Sequence, residues 1–147
     1  MNQRSTAPTK TAGSSDRTIF ALLHAAHALE EKVEAALETA DLSGPKFSVL
    51  SELVSAGEPL PLSELAGRLS CVRSNMTQLV DRLEADGLVQ RVACPSDRRS
   101  VKAEITYLGR ERQAAGAAAI ARLHETFASA VSAADRKAFE RMLKALA

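Results

Sequence analysis

Aromatic residues and cysteines are scarce in the sequence, and both shortages limit the fold. Phe and Tyr make up only 3% of the 147 residues and Trp does not occur, whereas Ala and Leu dominate. Because Ala and Leu favour helices while aromatic and β-branched residues favour strands, we expect helices packed on helices rather than a sandwich or barrel of strands. The two cysteines, Cys71 and Cys94, are too few and too far apart for a disulfide framework.

Long hydrophobic runs are also missing. The N-terminal stretch MNQRSTAPTKTAGSS contains no apolar run of signal-peptide length, and no segment approaches the roughly 18 apolar residues needed to cross a bilayer. We therefore expect a soluble, cytoplasmic protein without membrane contact. No nucleophile triad, phosphate loop or metal-hydrolase motif is recognisable, so we predict no enzymatic activity and no cofactor.

The net charge is only +1, but the charge is unevenly distributed. Residues 18–60 carry two basic and seven acidic side chains, whereas residues 88–112 carry six basic side chains against three acidic ones. The six basic residues are Arg91, Arg98, Arg99, Lys102, Arg110 and Arg112. A local positive stretch inside a neutral total is typical of a small binding footprint for an anionic partner.

Apolar residues recur at three- and four-residue steps in six segments, which predicts six helices. Residues 1–14 are polar and rich in Thr, Ser and Pro, so we predict a flexible arm there. The predicted helices begin near Asp16, after Leu42-Ser-Gly-Pro, at Leu62, after Ser70-Cys71-Val72, at Tyr107 and near Ser132. Only three residues separate the third helix from the fourth, so these two helices must cross sharply.

After Gly87, which we expect to end the fourth helix in a left-handed conformation, the period changes from helical to alternating. Leu88–Val92 and Val101–Ile105 predict two short strands that flank Cys94–Ser100 and form a hairpin. Thr106 then suits the N-cap of the next helix. Helix, short turn, helix and hairpin in this order predict a winged helix-turn-helix within a mainly α (α+β) fold.

The fourth helix offers side chains able to read DNA. Its stripe of Met76, Leu79, Val80 and Leu83 must face the core, which leaves a polar face opposite. That face holds Ser74, Asn75, Gln78 and Arg82, with Arg73 and Thr77 at its edges. Asn and Gln can bond an adenine edge, and hydroxyls can bond bases or phosphates. Any surface helix has a polar face, so the adjoining hairpin is what favours DNA binding.

The predicted hairpin tip concentrates charge. Asp97 lies two residues from Arg99 and could hold its guanidinium in place for the narrow minor groove, whose negative potential attracts arginine. Arg98 would then be free for a phosphate. Lys102 adds positive charge to this hairpin, which is the wing of the winged helix-turn-helix. The alternative interpretation is an ordinary exposed ion pair.

The run from Leu60 to Gly109 closely resembles the MarR family of bacterial transcription regulators. Its most specific marks are the D-R-R wing tip, the DRLEADGLV helix end and ITYLG at the start of the next helix. The resemblance implies a homodimer in which helical regions 15–42 and 107–147 interlock, with a DNA-binding region over 43–106 and Arg99 in the minor groove.

The resemblance also implies a repressor that leaves a nearby promoter when a small molecule binds between the dimerisation region and the DNA-binding region. Two-fold symmetry predicts a pseudo-palindromic operator on double-stranded DNA with half-sites about one helical turn apart. The candidate effector pocket contains Phe20, His24, Pro45 and Phe47, which suit phenolic or lipophilic molecules. The sequence does not separate a repressor from an activator.

Two residues depart from the family pattern in the predicted DNA-binding region. Val72 stands where a Ser often caps the recognition helix, and valine cannot accept the unpaired N–H groups, which leaves that task to Ser70 or a DNA phosphate. Gln78 replaces a common Arg on the reading face, so the operator sequence stays open.

Three alternatives remain at this point. A thiol sensor using Cys71 or Cys94 is one, although the reactive Cys that peroxide-sensing members carry near the start of the first helix is missing. His24, His27 and His124 could converge near the effector cavity or bind a metal, yet no further ligands are identifiable, so we predict no metal site. The third alternative is a winged-helix protein-interaction module that does not bind DNA.

Overall fold

The computed structural model describes the backbone of residues 15–94 and 97–146, and the side-chain surroundings of residues 17–93 and 101–145. The predicted flexible arm, residues 1–14, lies outside the described residues. The elements are α1 (Ser15–Glu38), α2 (Gly44–Ala56), β1 (Leu60–Pro61), α3 (Leu62–Arg68), α4 (Arg73–Ala85), β2 (Val89–Cys94), β3 (Asp97–Ile105), α5 (Tyr107–Ala130) and α6 (Ala133–Leu146). The predicted mainly α fold with a winged helix-turn-helix is therefore confirmed. Within the described part, no helix is both long and apolar enough to cross a membrane.

The sheet contains three strands in the order β1-β3-β2, one more than the sequence analysis predicted. Both pairings are antiparallel, with Leu60 opposite Ala103 on one side and Val89 opposite Ile105 on the other. A two-residue strand is too short to show an alternating pattern, so the sequence alone does not predict β1. The central strand is β3, and β2 is an edge strand.

The hydrophobic core lies where α2, α3 and α4 meet the sheet. Its largest fully buried side chains include Leu50, Leu53, Leu65, Met76 and Leu83. Burying side chains of this size stabilises the fold by about 1.5–3 kcal/mol each. The five come from α2, α3 and α4, so the core fixes α3 and α4 against their neighbours.

By its contacts the chain divides into two compact units, Met1–Lys32 and Val33–Ala147. The core just described belongs to the second unit. In the first unit, the described part of α1 leaves Ile19, Phe20 and Leu23 exposed. The predicted division into a dimerisation region and a DNA-binding region stays a prediction.

Gly116 lies within the Ala-rich helix α5 at a position where a side chain has little room. A Cβ atom at this position would lie 3.0 Å from Cδ2 of Phe47 and 3.2 Å from Cδ1 of Leu42. The same face of α5 is held to α2 by a hydrogen bond of 3.3 Å from Gln113 Nε2 to Ser51 Oγ. The missing side chain therefore lets α2 approach α5 closely.

Candidate nucleic-acid interface

The turn between α3 and α4 is fixed by backbone hydrogen bonds. The Cys71 N–H donates to the Ala66 carbonyl at 2.8 Å, and the Ser70 N–H donates to the Gly67 carbonyl at 3.2 Å. Ser70 adopts a left-handed conformation with φ of +49°, which is uncommon for a residue with a side chain. These contacts set the sharp change of direction that places α4 at the surface.

Helix α4 is buried on one side and exposed on the other, as the apolar periodicity predicted. Met76, Val80 and Leu83 have no exposed surface, and Leu79 is half-buried. The six predicted reading residues are all exposed: Arg73, Ser74, Asn75, Thr77, Gln78 and Arg82. Among them Thr77 Oγ1 donates to the Arg73 carbonyl at 3.1 Å within the helix. The structure thus brings these side chains onto one accessible face, and their role in binding DNA stays a prediction.

The N-terminus of α4 has no side-chain cap. Val72 is the N-cap residue, in an extended conformation, and its side chain is 66% exposed. In the part of the chain that the structure describes, Ser70 does not supply the missing acceptor either. The first N–H groups of α4 are therefore available to an outside acceptor such as a phosphate oxygen.

The wing is the hairpin formed by β2 and β3. Its ladder runs regularly from Val89–Ile105 to Ala93–Val101 and then shifts, so that Cys94 faces Asp97. Lys102 is half-buried in the central strand, where it lies opposite Val92 and Pro61. The side chains of Asp97, Arg98 and Arg99 lie outside those that the structure describes, so the proposed contact between Asp97 and Arg99 is not tested.

Two basic side chains of residues 88–112 have carboxylate partners. Arg91 bonds Asp81 and Glu84 of α4, and Arg112 bonds Asp41. In contrast, Arg73 and Arg82 have no ion-pair partner among the described residues. The number of basic residues in 88–112 therefore overstates the free positive charge of that stretch, because carboxylates from distant segments pair with two of them.

A compact joint connects the wing to α5. Thr106 Oγ1 accepts the Gly109 N–H at 3.0 Å as the predicted N-cap and donates to the Gly87 carbonyl at 2.7 Å. The Thr106 N–H bonds the Leu88 carbonyl at 3.1 Å. A Cβ atom on Gly109 would lie only 2.1 Å from that same Leu88 oxygen. Gly87 has φ of +72°, as predicted, so two glycines and one threonine fix where the hairpin begins and ends.

Comparison with known proteins decides the family. A model of the MarR family matches residues 42–101. The HTH-type transcriptional repressor Rv2887 of Mycobacterium tuberculosis is 30% identical over 118 residues, covering 80% of this chain and 84% of the repressor. The chain belongs to the MarR family. Three Bacillus subtilis HTH-type regulators are 33–41% identical over 66–81 residues, and the chain spans about half of their length, 41–55%. These relatives are transcriptional regulators, which are not enzymes.

Solved structures of other proteins share the fold. CouR from Rhodococcus jostii RHA1, solved with p-coumaroyl-CoA, is 25% identical with a TM-score of 0.73, covering 92% of this chain and 95% of CouR. Sco3205 from Streptomyces coelicolor, a MarR-family transcriptional regulator solved in complex with DNA, is 23% identical with a TM-score of 0.77. That match covers 97% of this chain and 91% of Sco3205.

An apolar cleft of about 280 Å³ lies between α2 and α4 of this MarR-family chain. Pro45 and Ser48 of α2 line one side, and the lining is completed by Leu69, Cys71, Met76 and Leu79. Of the four residues predicted for the effector pocket, only Pro45 reaches this cleft, because Phe47 packs toward Gly116 instead. Phe20 and His24 belong to the first unit, where both are exposed. The effector pocket therefore stays a prediction.

Among the described side chains, Cys71 and the three histidines do not come together in a further centre. Cys71 is a free thiol, half-buried, whose Sγ lies 3.5 Å from the Val72 carbonyl, while the side chain of Cys94 lies outside the described range. His24, His27 and His124 are exposed, and His27 faces Glu30 and Glu31 at 3.8 and 3.5 Å. Among the described residues no group of three or more His, Cys, Asp or Glu side chains could hold a metal ion. A thiol-sensing role remains untested.

Proposed function

We propose that this MarR-family regulator is a homodimer that binds a pseudo-palindromic double-stranded operator and represses transcription until a small molecule releases it. The observation that carries the DNA-binding part is the two-sided character of α4. Three residues of its apolar stripe are fully buried, and six polar or basic side chains are exposed on the other face. An α-helix of this kind fits the major groove of B-DNA.

The uncapped start of α4 supports the same proposal. Arg73 is exposed at this end, next to N–H groups that lack a side-chain acceptor. A helix N-terminus attracts anions because its N–H groups and its dipole both favour negative charge. We infer that a backbone phosphate bonds these groups in the complex, since Val72 offers them no side-chain acceptor.

Homodimer formation is supported by apolar surface that one chain leaves uncovered. On α1, Phe20 is 69% exposed and Leu23 is 60% exposed. On α6, Met142 and Leu143 are exposed as well. Apolar stripes of helices are normally buried, so we infer that a second copy of the chain covers them.

Repression and effector control rest on the relatives. Rv2887, which the chain matches over most of its length, is a transcriptional repressor, and CouR was solved with p-coumaroyl-CoA. We infer a largely apolar effector, for which the cleft at Pro45 is a candidate site.

Arg99→Ala tests the DNA-binding proposal at the wing. We expect it to weaken binding to an operator duplex selected from a random library by about tenfold or more, because an arginine in the minor groove is lost. Gel shift measures the affinity, and light scattering checks that the dimer persists. Arg122→Ala, an exposed arginine of α5 outside the predicted DNA contacts, is the charge-matched control. Unchanged gel-shift affinity of the Arg99 variant would show that the wing does not bind DNA.

The second candidate is a winged-helix protein-interaction module without DNA binding. It is favoured by the engagement of Arg91 and Arg112 with carboxylates, which lowers the free positive charge of residues 88–112. The salt dependence of binding separates the two, since release of counterions from DNA makes affinity fall steeply with salt.

A further inference from the structure

Arg91 joins the recognition helix to the wing. It lies in β2, opposite Ala103 of β3, and its side chain is 27% exposed. Nη2 donates to Asp81 Oδ1 at 2.5 Å, and Nη1 donates to Glu84 Oε2. Because Asp81 and Glu84 are three residues apart, they lie on one face of α4, and a single planar guanidinium can bridge both.

Glu84 also binds the main chain of the wing. Its Oε1 accepts the backbone N–H of Arg91 at 3.2 Å. Since β2 is an edge strand of the sheet, an N–H group on its outer side has no strand to pair with. The helix side chain supplies that partner, so α4 holds the backbone of β2 as well as the Arg91 side chain.

The electrostatics of Arg91 agree with a structural engagement. The pKa of its guanidinium is raised above the usual value, chiefly by the hydrogen bond to Asp81 and then, against the effect of desolvation, by the hydrogen bond to Glu84. Two of the three guanidinium nitrogens already have carboxylate acceptors. The Nε–H remains as a donor, but the charge of the group is already balanced by two carboxylates.

We propose that Arg91, Asp81 and Glu84 form a clamp that sets the position of the wing relative to the recognition helix. Arg91 is then a positioning residue, which raises DNA affinity through geometry and not through a phosphate contact. This inference rests on the proposed DNA-binding function. A helix in the major groove and a wing in the neighbouring groove can engage one duplex only at a defined relative placement, so a loosened clamp weakens binding to any operator.

Glu84→Gln and Asp81→Asn test the clamp, because simple electrostatics predicts the opposite sign. Each change removes a negative charge beside the DNA-binding helix and so reduces repulsion from the phosphates. If the clamp exists, each change weakens binding to the selected operator about three- to tenfold. This corresponds to the lower part of the range of interaction energies between residues of one hydrogen-bond network. Glu58→Gln is the matched control, since Glu58 is exposed and outside the clamp, and it leaves affinity unchanged or slightly raised.

Arg91→Lys separates positioning from phosphate contact. Lysine keeps the positive charge but cannot bridge two carboxylates with a planar fork. We expect weaker binding with an unchanged slope of log affinity against log salt. A phosphate-contacting arginine would instead tolerate lysine, and Arg91→Gln would reduce the salt slope by about 1.

Hydrogen exchange of the protein without DNA reports on the clamp directly. We expect Glu84→Gln to speed exchange in β2 and to leave α2 and α5 unchanged. Faster exchange in β2 together with weaker operator binding supports the proposal. Operator affinity at or above the wild-type value in both carboxylate variants overturns it, as does full affinity in Arg91→Lys. A wild-type protein that binds no duplex would instead contradict the proposed function, and the clamp's role in affinity with it.

Discussion

Helix α4 and the first half of α1 carry similar apolar periodicity but bury it differently. In α4 the residues Met76, Val80 and Leu83 are completely covered by their own chain, whereas Phe20 and Leu23 of α1 are 69% and 60% exposed. Helical periodicity thus predicts an apolar face but does not say what covers it. For α4 the cover is the core that it forms with α2, α3 and the sheet, and for α1 we propose a second copy of the chain.

The largest effect on stability is expected at the buried joint between the wing and α5. Gly109→Ala would place a Cβ atom 2.1 Å from the Leu88 carbonyl oxygen and 2.8 Å from Ile105 Cγ1. Backbone must shift to relieve this overlap, so we expect a loss of about 3 kcal/mol in the free energy of unfolding. Urea denaturation at fixed protein concentration measures it.

Gly67→Ala provides the matched control for that change. A Cβ atom at Gly67 meets nothing within 4 Å, and the residue lies inside α3. Replacing glycine by alanine inside a helix should therefore stabilise the protein by about 0.5–1 kcal/mol. Equal effects of the two substitutions would mean that the joint between wing and α5 is less tight than the contact between Gly109 and Leu88 indicates.

Changes on the exposed apolar face of α1 should affect stability less but should weaken dimer formation clearly. The double change Phe20→Ser and Leu23→Ser removes two large apolar side chains from the proposed interface between copies. We expect the dimer dissociation constant to rise by about tenfold or more, since truncating a hot-spot residue of an interface costs about 2 kcal/mol or more. Analytical ultracentrifugation over a concentration series measures this.

Val72→Ser is the control for that experiment. Val72 is 66% exposed, much like Phe20, but lies at the start of the recognition helix. It should leave the dimer intact, and as a better N-cap it should stabilise α4 slightly. If both proteins dimerise as the wild type does, the exposed face of α1 is not the interface.

Features set by neighbouring residues could be predicted from the sequence. The buried stripe of α4, the hairpin after Gly87 and the Thr106 cap each depend on spacing within one short segment, and each is present. The exposed reading face followed from the same spacing. The local sequence pattern was sufficient to predict a residue's surroundings wherever its partner was close in the chain or was solvent.

Features that depend on distant partners could not be predicted in this way. Strand β1 exists only because Leu60 meets Ala103, and the charge of Arg91 is balanced by Asp81 and Glu84, which belong to a different element. The predicted effector residues Pro45 and Phe47 are two positions apart yet face different neighbours, the cleft and Gly116. Composition and periodicity contain no information on such pairings.

The salt dependence of operator binding tests the central claim most directly. Titrations of the full chain with a selected duplex operator, from about 50 to 200 mM salt, should show affinity falling by about a thousandfold or more, as expected when six or more phosphate contacts release counterions. A linear fall of log affinity with log salt is the predicted result. An affinity that hardly changes with salt, or the absence of any duplex binding, would contradict the DNA-binding account and favour the protein-interaction module.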